Sequence, residues 1–381
     1  MGKMIVFAGN VGSGKTTIAR ALADALGFEI HFESVSDNPF LEDFYHNQRK
    51  WAYHLQTFFL IHRFTALKEA MEKVLSEAAN LSYLAEYQTE QERRKAIENA
   101  DALLSFMVHN ELKKEEFEYL REGILIQTLL AGVDAVPFSI IPKSVVLCCN
   151  AGAWAEPMAE HILCMMLALG KNLLKCHKKL AAGEFYRDEY NIWFLGKTAG
   201  FIGYGGISKA TAKLLKALGM KIMAVNTSGK TDDNIDFIGS IKDMDKVLSE
   251  SHVVIIAVPL TRHTKGLIGE RELGLMKPDA ILINPARGEI IQEKALFEHM
   301  KTHPDFKVGI DAWWIEPFTH GEFKVNYPFF DLDNFLGSPH NSNLVPEIYP
   351  LAAERAAENV KRFLEGKKPK NIVNPEDYMW D

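Results

Sequence analysis

The sequence predicts an α/β protein built on parallel sheets and folded as more than one lobe. Short apolar runs alternate with stretches of helical periodicity along most of the chain, the pattern of strands joined by crossover helices. Two glycine-rich turns, one at residues 9–16 and one at 203–208, each follow an apolar run and open a helical stretch. A length of 381 residues exceeds what one ordinary core holds.

Composition narrows the class of partner. Hydrophobic residues make up 47% of the chain and charged residues 24%, as in a soluble globular protein. A net charge of −7 argues against a nucleic-acid or anionic-membrane surface. No apolar run reaches the roughly 20 residues that a bilayer span needs, and the N-terminus lacks a secretory pattern. Cys148, Cys149, Cys164 and Cys176 have no metal-ligand spacing and read as thiols of a reducing cytoplasm.

Met4 to Ala8 reads as a buried strand, and Thr16 to Leu26 as a helix. Between them, Gly9-Asn10-Val11-Gly12-Ser13-Gly14-Lys15-Thr16 has the form of a phosphate-binding loop. Its glycines let backbone N–H groups curl around phosphate oxygens, and the helix N-terminus adds partial positive charge. Gly9, Gly12 and Gly14 would line ATP phosphates, Lys15 would reach the terminal ones, and Thr16 would hold Mg²⁺. Leu60, Phe64, Leu67, Met71 and Val74 then mark an amphipathic helix.

Around this loop the sequence resembles deoxynucleoside kinases. The similarity runs through Phe32-Glu33-Ser34-Val35-Ser36-Asp37-Asn38-Pro39-Phe40-Leu41-Glu42-Asp43-Phe44-Tyr45, Trp51 and Leu55-Gln56-Thr57-Phe58-Phe59-Leu60. The resemblance implies Glu33 as a general base on a sugar hydroxyl and Gln56 as a reader of the base. It ends near residue 77, before the arginine-rich lid such kinases carry. Phosphoryl transfer depends on cations placed around the moving group, so with Lys15 alone weak nucleotide binding at best is expected, and Glu33 and Gln56 read as surface or helix residues without catalytic duty.

Beyond residue 77, Leu81–Leu84, Ala102–Phe106, Leu125–Leu129 and Val145–Cys149 read as strands, and Glu90–Asn99 and Glu115–Leu120 as helices. Met158–Leu180 reads as one long linking helix. A second α/β unit begins at Lys197, with strand Thr198–Ile202, helix Lys209–Leu218 and strand Met220–Val225. Its turn, Gly203-Tyr204-Gly205-Gly206-Ile207-Ser208, has the spacing of a dinucleotide-binding fingerprint with serine in place of the third glycine. Helix–strand packing should loosen there, while the glycines nearest the pyrophosphate are intact. The acidic residue usual after the second strand is replaced by Asn226-Thr227-Ser228-Gly229-Lys230. Neutral and cationic groups there tolerate a 2′-phosphate, which leans the cofactor toward NADP over NAD.

From about residue 80 onward the chain resembles the D-isomer-specific 2-hydroxyacid dehydrogenases. The motifs run in order through Gln127-Thr128-Leu129-Leu130-Ala131-Gly132-Val133-Asp134, Asn150-Ala151-Gly152-Ala153, Met158-Ala159-Glu160-His161 and Val258-Pro259-Leu260-Thr261 with Thr264. They continue in Asn284-Pro285-Ala286-Arg287-Gly288, Asp311-Ala312-Trp313-Trp314-Ile315-Glu316-Pro317 and Ser338-Pro339-His340. The resemblance implies two Rossmann- or flavodoxin-like lobes around a cleft. The substrate-binding lobe would span 78–152 with 341–381, the NAD(P)-binding lobe 153–340, and residues 1–77 would be the kinase-like segment.

Hydride transfer to a small 2-keto acid needs a proton donor, for which histidine suits neutral pH. His340 matches that role, and Glu316 the carboxylate that favours its imidazolium. A planar cation is needed for the substrate carboxylate, and Arg287 matches it. Backbone N–H groups of Ala131, Gly132 and Val133 would hold the same carboxylate. These assignments follow from the family resemblance, which also implies cofactor contacts from Gly203, Tyr204, Gly205, Gly206, Ile207, Asn226, Thr227, Ser228, Pro259, Thr264 and Asn284, with Asp311 on the nicotinamide amide. The family resemblance further implies a homodimer. A kinase with a degenerate dehydrogenase part and a non-catalytic dinucleotide sensor are the alternatives.

The resemblance lacks the first strand of the substrate-binding lobe, which lies centrally in the family's sheet. Unpaired buried backbone groups cost about 1–3 kcal/mol each, so Met4–Ala8 is expected to insert there, near Leu81–Leu84; a separate kinase-like lobe beside an incomplete outer lobe, and a fused or misjoined chain that folds poorly at its N-terminal end, are the alternatives.

Overall fold

Two parallel sheets organise the protein, whose computed structural model describes residues 65–379. The predicted strand Met4–Ala8, the loop at 9–16, Glu33 and Gln56 lie outside the described residues.

The smaller sheet holds β1 (Ala102–Ser105), β2 (Leu125–Thr128) and β3 (Val146–Cys148), all parallel, in the order β1-β2-β3. β2 is buried along its whole length, as expected of a central strand covered on both faces. One face packs against Ile97, Phe117, Val136 and Phe138. The other meets the C-terminal helix Ile348–Leu364, which presents Ala353, Ala356, Ala357 and Val360. Small residues on that stripe let helix and sheet approach closely. Residues 65–75 are helical, and Leu67, Ala70 and Leu75 add to the same layer.

The larger sheet has seven parallel strands in the order β10-β9-β8-β7-β4-β5-β6. They are β4 (Thr198–Ile202), β5 (Lys221–Val225), β6 (Phe237–Gly239), β7 (Val253–Ile256), β8 (Ile281–Asn284), β9 (Lys307–Ile310) and β10 (Phe335–Gly337). β7 and β8 are fully buried, apolar except for Asn284 at the end of β8, and helices cover both faces. All strands run the same way, but the order in which the chain adds them reverses between β4 and β7: β5 and β6 build outward on one side of β4, and β7 to β10 on the other. In doubly wound sheets a ligand crevice opens at that point, beyond the carboxyl ends of the strands.

Three expectations are corrected. Leu81–Leu84 is not a strand; the segment leads into a short 3₁₀ turn at Leu84–Glu86 with no buried residue. Among the described residues this apolar run has no sheet neighbour to pair with. Residues expected as the helix Glu115–Leu120 form 3₁₀ geometry over Lys114–Tyr119, where Glu116 turns inward to a bidentate pair with Arg93. The long linker breaks into Ala155–Gly170 and Leu173–Ala181. Asn172 between them is left-handed at φ 50°. Its side chain accepts from Lys307 Nζ at 2.7 Å and donates to the Tyr190 carbonyl at 3.3 Å. Those bonds reward a kink that helical periodicity alone does not announce.

Candidate functional site

The fingerprint turn leaves β4 at Gly203, whose φ is +93°. A Cβ there would lie 2.5 Å from the Ala257 carbonyl oxygen, so this position requires glycine. Gly205 faces open space, and Gly206 packs so tightly on Gly152 that a Cβ would stand 2.7 Å from its Cα. The helix Gly206–Ala217 starts here and aims its N-terminal N–H groups at the crevice. Ser208 is fully buried, and its hydroxyl donates to the Gly203 carbonyl at 2.6 Å. Far from loosening the turn, serine ties it to the helix. The open space at Gly205 and the helix terminus fit a dinucleotide pyrophosphate.

At the end of β5 the chain closes on itself. Asn226 Oδ1 accepts from Gly229 N–H at 2.7 Å, and its amide donates to the Lys230 carbonyl at 2.8 Å. Thr227, Ser228 and the Lys230 side chain remain exposed. No carboxylate stands at 226–230. Across the crevice, Thr264 Oγ1 donates to the Pro259 carbonyl at 2.6 Å and accepts from Thr261 N–H at 2.8 Å, which shapes the loop after β7.

Arg287 follows β8 by three residues. Asn284 fixes that loop by donating to the Arg287 carbonyl at 2.8 Å and accepting from Ala286 N–H at 3.1 Å. The neighbouring Gly288 lies against Trp313, where a Cβ would come within 2.3 Å of the Trp313 carbonyl carbon. The guanidinium reaches the loop after β2 and grips Asp134 with Nε and Nη2, both at 3.0 Å. Burial opposes its charge, but the Asp134 carboxylate outweighs that and holds the guanidinium pKa above its usual value. Ala131, Gly132 and Val133 lie on the same loop, and among the described residues their N–H groups donate to no protein acceptor.

β9 and β10 deliver the remaining groups. Glu316 is buried; its Oε1 accepts from Trp313 N–H at 2.6 Å, and its Oε2 meets His340 Nδ1 at 2.8 Å. His340 is held left-handed at φ 50° by the bend after Pro339. With Nδ1 bonded to a carboxylate, Nε2 is the ring nitrogen left to exchange a proton. Asp311 is fully buried, accepting from Ser338 Oγ at 2.5 Å and from the N–H groups of Asn341 and Ser342. Through Ser338 it connects to His161, 2.9 Å away on the helix Ala155–Gly170. Trp313 and Trp314 belong to the core, with their indole N–H groups on the carbonyls of Ser338 and Ile291.

The carboxyl ends of β2, β8, β9 and β10 thus bring Gly132, Arg287, Asp311, Glu316 and His340 into one cleft region from positions far apart in sequence. Three contributors carried no expected role: Asp134, His161 with Ser338, and the C-terminal turn Pro375–Tyr378. In that turn the Asp377 carbonyl accepts from Arg262 N–H at 2.9 Å, and Tyr378 stacks on Phe138 at 5.0 Å. Burial first, then Cys149 and Asp134, push the Tyr378 phenol up to about 12. Asp134 and His161 lay inside recognised motifs, but their partners are distant in the chain and no spacing signals them.

A doubly wound sheet with a glycine turn at its switch point, facing a second parallel sheet across an Arg, Glu and His cluster, defines a two-lobed dinucleotide-dependent enzyme. Known proteins agree. The family profile for the D-isomer specific 2-hydroxyacid dehydrogenase NAD binding domain matches residues 163–342, and the deoxynucleoside kinase profile matches residues 5–93. A glyoxylate reductase of Pyrococcus furiosus is 30% identical over 289 residues, covering 74% of this chain and 84% of that protein. A glycerate dehydrogenase-related protein of Thermoplasma acidophilum is 30% identical, with a TM-score of 0.54 over 78% of this chain and 96% of that one. A D-isomer specific 2-hydroxyacid dehydrogenase of Xanthobacter autotrophicus, solved with NADPH, shares the fold at 21% identity and TM-score 0.66, over 83% of this chain and 96% of that one.

The chain belongs to the D-isomer specific 2-hydroxyacid dehydrogenase family. It is an oxidoreductase that moves a hydride between a nicotinamide cofactor and a small 2-hydroxy or 2-keto acid.

Proposed function

We propose that the protein reduces a small 2-keto acid of the glyoxylate or hydroxypyruvate type, with NADPH preferred over NADH. The substrate lobe would comprise 78–152 and 341–381, and the cofactor lobe 153–340. The observation that carries this reading is the Glu316–His340 pair beside the Arg287 loop, since it leaves one imidazole nitrogen for the keto oxygen. Arg287 would bind the substrate carboxylate with the N–H groups of Ala131, Gly132 and Val133, and polarise the keto group. The bound dinucleotide supplies a hydride to the keto carbon. His340 Nε2 then delivers the proton that the developing alkoxide needs, and Glu316 stabilises the imidazolium until it does. Cofactor contacts would come from Gly203, Tyr204, Gly205, Gly206, Ile207, Pro259, Thr264, Asn284 and Asp311. The NADPH preference rests on Asn226, Thr227, Ser228 and Lys230 in place of a carboxylate at the end of β5. Glyoxylate is the first candidate because of the relatives that carry that activity in their names.

Turnover measured by NADPH and NADH oxidation over a panel of 2-keto acids tests this. Loss of one charged contact in the transition state should lower kcat/KM about 100-fold in Arg287→Ala and His340→Ala. Saturable NADPH binding without turnover of any 2-keto acid would instead favour a non-catalytic dinucleotide sensor.

A cytoplasmic homodimer is part of the proposal. Leu173, Leu174, Leu180, Phe185, Tyr190 and Trp193 expose apolar side chains on and after the helix Leu173–Ala181, and clustered exposed apolar groups favour a protein contact. The kinase-profile match favours a second reading of the N-terminal segment, as a nucleotide site with ATP phosphates on Gly9, Gly12, Gly14, Lys15 and Thr16.

A further inference from the structure

We propose that Asp134 is a positioning residue for Arg287, presetting the guanidinium for the substrate carboxylate across the cleft; this rests on Arg287 as the carboxylate-binding group. Arg287 sits beyond β8 in the larger sheet, and Asp134 beyond β2 in the smaller one. Their bond therefore ties the two lobes where the cleft lies. A guanidinium has five N–H donors. Nε–H and one Nη2–H go to the Asp134 oxygens, both at 3.0 Å, and one Nη1–H goes to the Ala286 carbonyl at 2.7 Å. One N–H on each Nη nitrogen is left for an arriving carboxylate and keto oxygen.

The side chain keeps 30% of its surface accessible and Asp134 keeps 24%, so the pair borders the cleft and is not sealed in the core. As a simple staple such a part-exposed pair would add little. Its stronger effect is directional. A flexible arginine loses rotamer freedom when it binds, and a bidentate fork incurs that loss before the substrate arrives. Gly132 shows how close the fit is. A Cβ at that position would lie 1.9 Å from Arg287 Nη2 and 3.1 Å from an Asp134 oxygen. Backbone, carboxylate and guanidinium thus share one crowded corner next to the free N–H groups of the same loop.

The opposite role is chemically open to Asp134, that of a competitor which the substrate must displace from Arg287. The two differ in sign. A positioning carboxylate lowers the KM for the keto acid, whereas a competitor raises it. Steady-state kinetics of Asp134→Asn, Asp134→Ala and Asp134→Glu with NADPH and glyoxylate separate them, alongside oxalate inhibition and NADPH titration by fluorescence. The proposal expects kcat/KM for glyoxylate to fall at least tenfold in Asp134→Asn and Asp134→Ala, mainly through KM. NADPH affinity should change less than twofold, and Asp134→Glu should recover part of the loss. Keto-acid KM within twofold of the parent, or lower, would overturn it, as would equal losses in all three variants. Arg287→Ala is the control for the underlying reading. If it leaves turnover and oxalate inhibition intact, Arg287 is not the carboxylate site and both ideas fall. If it abolishes them while Asp134→Asn does not, only the positioning role falls.

Discussion

Glycine at position 132 is where one missing methyl group decides the site. The Cβ of alanine there would overlap Arg287 Nη2 at 1.9 Å, and the guanidinium would have to leave its bond with Asp134. Gly132→Ala should therefore raise the keto-acid KM about tenfold or more, equivalent to losing one charge-assisted hydrogen bond. Cofactor affinity should hold, because Gly203 and its helix are in the other lobe. A fluorescence titration with NADPH next to glyoxylate kinetics checks this; a matching loss in both would mean that the substitution disturbs the whole fold. Ser208 shows the reverse case. A residue that departs from the fingerprint is accommodated because its hydroxyl finds the Gly203 carbonyl at 2.6 Å.

At the scale of elements, the helix Glu293–Thr302 carries a pH-sensitive contact. His299 stacks on His303 at 4.0 Å and meets Phe306 edge-on at 4.7 Å, with its Nε2 buried and unpartnered. Burial first, and His303 second, push its pKa down to about 4. The unfolded imidazole titrates near 6.5, so the unfolded chain takes up the proton first as pH falls. Stability from the neutral folded form is present above about pH 6.5 and is lost progressively toward pH 4. Urea unfolding should show a loss on the order of 2 kcal/mol across that window, and His299→Leu should flatten most of it. An unchanged slope in the variant would assign the pH dependence to other groups.

For the whole molecule, the exposed stretch from Leu173 to Trp193 is the feature without an internal explanation. Phe185, Tyr190 and Trp193 are each more than 70% exposed, while the helices either side of the large sheet bury their apolar faces. Sedimentation equilibrium should give a two-chain mass for the parent protein. Trp193→Glu combined with Leu174→Lys should give a one-chain mass, since a charge in an apolar interface is costly to bury. A parent protein that sediments as one chain would remove the dimer from the proposal. Residues 67–75, inside the stretch matched by the kinase profile, bury Leu67 and Leu75 against the small sheet and the C-terminal helix. That segment is part of the core around the smaller sheet whatever its origin.

The sequence alone determined the α/β class, the glycine turn after β4 and the helix Glu90–Asn99, and it named Arg287, Glu316 and His340 as candidates. Each depends on local information: apolar periodicity, a turn that needs φ above zero, or a dense motif. Tertiary structure decided the rest. Leu81–Leu84 looked like a strand because it is apolar, yet pairing is a property of a neighbour. The linker helix looked continuous because its periodicity is continuous, yet Lys307 and Tyr190, which hold the kink at Asn172, arrive from other parts of the fold. Asp134 and Arg287 stand 153 residues apart, and only the folding of two sheets toward one cleft puts a carboxylate against that guanidinium. Short-range patterns specify elements, because propensity and burial act within a few residues. Partners across a cleft are set by the packing of whole layers, which no local spacing records.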